Sequence, residues 1–122
     1  MADPVAEIGT ELLFENDVLR VWSMELAPGE ESPYHRHTLD YAIVYVTPSV
    51  ITRMDKPGDP GVKEEFADGW VKYLKVDSGI VHLIRNDGPT THRQIIVEVR
   101  RPTEPRAPEG DNGRRISSVA ND

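Results

Sequence analysis

Four histidines occur in the 122 residues, and two of them, His35 and His37, stand one residue apart. On a β-strand, residues i and i+2 point to the same face, so both imidazoles can reach one point, which is the local geometry of a metal site. Forty-five residues later, His82 stands at the mouth of a second apolar run, Gly79 to Ile84, with Gly79 permitting a tight approach. There is no cysteine, which excludes thiolate ligation, a cysteine nucleophile and a disulfide framework. Three neutral imidazoles around a dication leave its charge uncompensated and up to three coordination positions open, unlike a closed structural zinc site. An open dication of this kind favours an anionic, chelating substrate such as a β-keto or α-hydroxy acid. Nitrogen-only ligation suits Fe(II), Zn(II), Ni(II) or Cu(II) and does not choose among them.

The elements that must position these side chains read as short strands. Within roughly residues 10–100, apolar residues recur with period two in runs broken by turn residues. The runs are Val18 to Leu26, Tyr41 to Val46, Ser49 to Met54, Val62 to Phe66, Trp70 to Val76, Gly79 to Ile84 and Thr91 to Val99. Lys56 to Gly61 carries Pro-Gly and Asp-Pro signals and reads as a surface loop. No window shows a capped helical period, so at most one short helix is expected, and seven or eight strands in this length predict an antiparallel sandwich or barrel. Residues 1–100 form a single expected domain. Residues 101–122 hold three prolines, two glycines and only four apolar residues, and read as a mobile or extended tail.

Charge narrows the partners. Acidic residues number 21 against 14 basic ones, and the net charge of −7 sits entirely on residues 1–100. With no lysine- or arginine-rich run, the electrostatic attraction to nucleic acid is missing. The amino terminus carries acids where a signal peptide needs bases, and no stretch reaches the roughly 18 apolar residues of a membrane span, so a cytoplasmic protein without membrane contact is expected.

Gly29, five residues, His35, one residue, His37 reproduces the first half of the cupin signature, and Gly79, two residues, His82, three residues, Asn86 reproduces the second. The chain resembles a small single-domain bacterial cupin over about residues 10–100, and its wording from Leu19 to Glu30 and from His35 to Tyr41 is most similar to the beta-alanine degradation type. The resemblance implies an all-β fold, the double-stranded β-helix or jelly-roll barrel, with a divalent metal on His35, His37 and His82 and a homodimer as the assembly. The pattern departs in one place that touches the metal. Where the family carries a glutamate, this chain has Tyr41 and Ala42, with Asp40 one step early. Strand alternation puts Tyr41 on the face of His35 and His37, and Asp40 on the other unless a bulge intervenes. Pro48, Asp77 and Val71 also replace family residues, at turns.

A three-histidine set resembles the thiol and β-diketone dioxygenases among cupins, in which three histidines hold Fe(II). The leading expectation is therefore a mononuclear non-heme iron dioxygenase acting on a small organic acid or β-dicarbonyl compound. The alternatives are an oxygen-independent lyase, isomerase or decarboxylase using Zn(II), Ni(II) or Mn(II) as well as Fe(II), and a non-catalytic small-molecule-binding cupin. Tyr41 and Arg20 are the candidate substrate-positioning residues. Arg20 shares a face with Trp22 and Met24, and if that face looks inward it needs an anion, for which a substrate carboxylate is a natural partner. His92 reads as a satisfied strand histidine or a group orienting a ligand. Trp22 and Tyr45 read as packing residues, and Asn86 as backbone support.

Overall fold

The computed structural model describes residues 3–100 and the backbone of Arg114–Arg115. Its strands are β1 (Glu11–Glu15), β2 (Leu19–Leu26), β3 (His35–His37), β4 (Asp40–Tyr45), β5 (Ser49–Met54), β6 (Val62–Phe66), β7 (Val71–Leu74), β8 (Ile80–Asn86), β9 (His92–Val99) and β10 (Arg114–Arg115). All the expected runs are strands, and no helix occurs among the described residues. Besides β3, which the histidine spacing marks, two strands were not singled out by periodicity. β1 is one, because the register slips between Leu12 and Phe14 and breaks its alternation. β10 is the other. The expected mobile tail lies outside the described residues, apart from Arg114–Arg115, which pair antiparallel with Phe14 and Glu15 of β1.

The strands form two sheets, in the orders β10-β1-β2-β9-β4-β7 and β3-β8-β5-β6. All the pairings between named strands are antiparallel. β2 and β9 pair along their whole length, from Leu19 opposite Val99 to Leu26 opposite His92, and form the spine of the larger sheet. Period-two alternation decides what faces inward. In β4, Tyr41, Ile43 and Tyr45 are buried while Asp40, Ala42 and Val44 are half-buried. Trp22, Met24, Leu26, Tyr41, Tyr45 and Ile96 belong to one core cluster with Ile51 and Ile84 of the smaller sheet. Each side chain of this size contributes about 1.5–3 kcal/mol when fully buried.

Turn chemistry closes the sheets. The Asn16 side chain accepts from the amides of Val18 and Leu19, both at 2.8 Å, and shapes the β1–β2 turn. Gly61, at φ +73°, ends the loop that begins at Lys56, and a Cβ there would sit 2.7 Å from the Arg53 carbonyl oxygen. Asn86 ties the first motif to the second: its side chain donates to the carbonyls of Leu26 and Thr90 at 2.9 and 2.8 Å and accepts from the Gly88 amide at 2.9 Å. The Gly29 amide donates to the Asn86 carbonyl at 2.7 Å. Asn86 is therefore the backbone support expected of it. Among the described residues no helix is long and apolar enough to cross a membrane.

Candidate metal centre

β3 is only three residues long, yet it is held on both sides. On one side it pairs with β8, placing His35 directly opposite His82. On the other, the Val5 amide donates to the Tyr34 carbonyl and the Arg36 amide to the Val5 carbonyl, each at 2.9 Å. His35 and His37 are both 2 % exposed, while Arg36 between them faces outward. The alternation read from the sequence and the cross-strand register, which the sequence does not state, together bring three imidazoles to one point.

The Nε2 atom of His37 lies 3.1 Å from that of His35 and 3.0 Å from that of His82. The ring planes stand nearly perpendicular in every pair, at 81°, 83° and 89°. Donors about 2.1 Å from an ion at right angles to one another are about 3.0 Å apart, whereas tetrahedral angles spread them to about 3.4 Å. Both separations are short enough for each pair of imidazoles to share one ion. The His35 Nδ1–H donates to the Pro33 carbonyl at 2.7 Å, which leaves the lone pair on Nε2, facing its two neighbours. Burial pushes all three imidazole pKa values below the ordinary 6.5: His37 to about 2, with the neighbouring His35 and His82 adding to the effect, and His82 to about 3, with His35, Arg53 and Lys72 adding to it. The His35 shift is opposed by its bond to Pro33. All three rings are thus neutral and ready to donate at neutral pH. No carboxylate joins the three histidines as a candidate ligand among the described residues, so the donor set fits a nitrogen-ligated divalent ion with open positions.

These rings form one side of a cavity of about 230 Å³ between the sheets. Tyr41 lines it and stacks on His37, with ring centroids 3.9 Å apart and planes 9° apart. Burial raises the Tyr41 phenol above its ordinary range, so it keeps its proton. Asp40 turns to the other face of β4, where it accepts from Tyr73 Oη at 3.1 Å and from the Val76 amide at 2.7 Å.

Arg20 is not brought to this cavity. Its face does look inward, but its anion comes from the chain itself: Nε donates to Oε1 of Glu98, its cross-strand partner, at 2.7 Å. The same oxygen accepts the Trp22 indole N–H at 2.8 Å. The anion that the sequence reading sought in a substrate is thus supplied to Arg20 by Glu98. His92 is also satisfied within the fold, Nδ1 lying 2.6 Å from Ser49 Oγ and Nε2 2.7 Å from Gln94 Oε1. Tyr45 packs as expected, stacked on Phe66 at 4.2 Å, and also borders the cavity. Sequence reasoning missed Arg53, Glu64 and Lys72, which all line the cavity. Strand parity held the signal, since Arg53 follows Ile51 by two residues, Lys72 precedes Leu74 by two and Glu64 precedes Phe66 by two.

No protein-family model matches the chain. A cupin domain from Bordetella pertussis Tohama I superposes with a TM-score of 0.65 at 22 % identity, covering 83 % of this chain and all of that one. An RmlC-like cupin with a double-stranded β-helix fold from Methanocaldococcus jannaschii superposes with a TM-score of 0.54 at 15 % identity, covering 82 % of this chain and 93 % of that one. In sequence, the auxin-binding protein T85 of Nicotiana tabacum is 29 % identical over an alignment of 92 residues that covers 69 % of this chain and 46 % of that protein. The chain thus spans about half the length of the curated relative it matches.

Proposed function

We propose that this chain, whose fold is the cupin double-stranded β-helix, is a mononuclear non-heme iron dioxygenase that acts on a small organic acid or β-dicarbonyl compound. The observation that carries the metal is the convergence of His35, His37 and His82, the His37 Nε2 lying 3.1 Å from that of His35 and 3.0 Å from that of His82, with candidate ligand atoms of all three within 4.8 Å of one another. The donor set, three imidazoles with no carboxylate among the described residues, does not itself choose the metal; the choice of Fe(II) and dioxygen rests on its resemblance to the three-histidine dioxygenases among cupins. When bound, such an ion would supply Lewis acidity, a template for chelating substrate oxygens and, as Fe(II), a redox-active centre through which the organic substrate, the net electron donor, could be oxidised by dioxygen.

The chain's own residues hold and orient. Pro33 fixes the His35 tautomer, and Tyr41 fixes the plane of the His37 ring by stacking on it. The protonated Tyr41 phenol offers one O–H to a substrate oxygen. Apolar side chains including Met24, Ile43, Ile51 and Ile96 complete the walls and keep bulk water from the reacting centre.

The test begins with elemental analysis of protein purified without added metal, beside the His35→Ala/His37→Ala double variant. Near-stoichiometric iron in the wild type, lost in the variant, is expected. Oxygen uptake with β-dicarbonyl or thiol acids should then follow, with both atoms of labelled dioxygen entering the organic product. Turnover of the same acids without oxygen, with Zn(II), Ni(II) or Mn(II), would instead assign a lyase, isomerase or decarboxylase. Ligand binding that survives His35→Ala and His82→Ala would assign a non-catalytic binding cupin.

The proposed assembly is a homodimer through the outer face of the six-stranded sheet. Cross-strand register aligns Val21, Val97, Ala42 and Tyr73 in one row, and Ile95, Val44 and Val71 in the next. Val71 and Tyr73 are 58 % and 59 % exposed, and apolar rows on an outward sheet face suit a self-complementary contact. Light scattering should give twice the chain mass for the wild type and the chain mass for a Val71→Lys/Tyr73→Lys variant. A monomeric wild type at tens of micromolar would overturn the assembly.

A further inference from the structure

The three histidines leave the charged residues of the cavity without a task. Arg53 of β5 and Lys72 of β7 come from opposite sheets and line the same cavity. Arg53 Nε lies 3.5 Å from Glu64 Oε1, and among the described residues its remaining guanidinium donors have no protein partner. Lys72 has no carboxylate within ion-pair distance among the described residues, and its ammonium lies 4.7 Å from the Phe66 ring centroid. Two cations against one carboxylate leave a net positive charge in a cavity whose remaining walls are six isoleucines, Met24 and Leu74 with Tyr41, Tyr45, Gln94 and the three histidines. The Arg53 side chain is 39 % exposed and so keeps part of its hydration, and an anion that joins it in the cavity forms a charge-assisted pair.

Resting on the reading of this cavity as a substrate site, we propose that Arg53 and Lys72 form a carboxylate-binding subsite that selects small organic monocarboxylates. The size follows from the volume of about 230 Å³, the share of seven or eight water molecules at about 30 Å³ each. The charge follows from Glu64, whose carboxylate beside Arg53 opposes a dianion such as phosphate and leaves one positive charge for one negative charge. The planar guanidinium fork, with Nη groups uncommitted, matches a carboxylate in two parallel hydrogen bonds. The isoleucine walls suit the hydrocarbon body of the acid.

The test uses the metal-free, full-length protein, so it does not depend on the histidines binding an ion. Butanoate, its neutral isostere butanamide and inorganic phosphate are titrated while the Arg53 Nε–Hε resonance is followed by NMR, assigned by its loss in Arg53→Gln. A saturable shift with butanoate, absent with butanamide and weaker with phosphate, is expected. Butanoate affinity, followed on backbone amides lining the cavity, should fall about ten-fold or more in Arg53→Gln and in Lys72→Gln. It should be unchanged in Lys63→Gln, which removes the same charge from the outer side of β6, and unperturbed amide spectra elsewhere establish that each variant is folded. No saturable shift, equal binding of butanamide, tighter binding of phosphate, or variants that bind as the wild type would overturn the subsite. Zn(II) titration of the same proteins separates the two readings. Zinc bound without butanoate selectivity removes the subsite alone, and butanoate selectivity without zinc binding removes the metal reading alone.

Discussion

Glu98→Ala should cost this protein a large part of its stability without touching the cavity. The Glu98 carboxylate is 1 % exposed, and its Oε1 accepts from both Arg20 Nε at 2.7 Å and Trp22 Nε1 at 2.8 Å. Truncation leaves the buried indole N–H without an acceptor, which costs about 1–3 kcal/mol. It also strips the partner from Arg20. Breaking a buried pair costs about 3–5 kcal/mol, but the Arg20 side chain is 28 % exposed and regains water, so the lower end applies. Because both bonds fall on the same Glu98 oxygen the two losses overlap rather than add in full, and the combined loss is about 3–4 kcal/mol, or about 12–30 °C in Tm for a domain of this size. Glu98→Gln keeps the shape and an acceptor and should lose only about 1 kcal/mol. Urea unfolding followed by tryptophan fluorescence and far-ultraviolet circular dichroism measures both, and a double-mutant cycle with Arg20→Ala isolates the pair. The reasoning fails if Glu98→Ala costs less than about 1 kcal/mol. It fails equally if Arg20→Ala weakens carboxylate or metal binding at unchanged stability, because Arg20 would then belong to the site.

Acid should destabilise the metal-free protein from about pH 6.5 downward. His37 and His82 have folded pKa values of about 2 and about 3, below the ordinary 6.5, so the unfolded chain binds more protons in that window. Their contribution is complete above pH 6.5 and falls as pH drops toward the folded values, at up to about 1.4 kcal/mol per pH unit for each histidine. Urea midpoints that stay flat from pH 6.5 to 4.5 would contradict this. His82→Ala should weaken divalent-metal binding by at least about 100-fold, since removing a ligand outweighs the 10–100-fold effect of removing its support; isothermal titration with Zn(II) measures it. Gly61→Ala combines φ +73° with a Cβ placed 2.7 Å from both the Arg53 carbonyl oxygen and Thr52 Cγ2, and should cost about 1–3 kcal/mol in chemical denaturation. Gly58→Ala, with φ +88° but open space around its Cβ, is the milder control.

Much of the site was legible because strand parity is a local property. The i, i+2 spacing of His35 and His37 and, within β4, the opposite directions of Asp40 and Tyr41 follow from strand geometry over a few residues, whereas Tyr41 meets His37 from β4 of the opposite sheet, which parity does not state. The apolar period also located most strands. β1 escaped because its bulge breaks the period, and β10 because Arg114–Arg115 carry no apolar signal. Arg20 shows where parity stops. It states that Arg20, Trp22 and Met24 share a face, and that face does look inward, but it does not state that β9 lies alongside with Glu98 in register. Parity likewise groups Arg53 with Ile51 and Lys72 with Leu74, but that both strands turn these faces into one cavity is set by the packing of the two sheets.

Sequence alone determined the alternating strands, the absence of thiol chemistry and the pairing of His35 with His37, because each depends on residue type or on spacing within one strand. Tertiary structure alone decided that His82 faces His35 across 47 positions, that Glu98 neutralises Arg20, and that cations from two sheets share one cavity. Those relations depend on which strands become neighbours and in what register. Summed long-range packing sets them, and no local pattern encodes them.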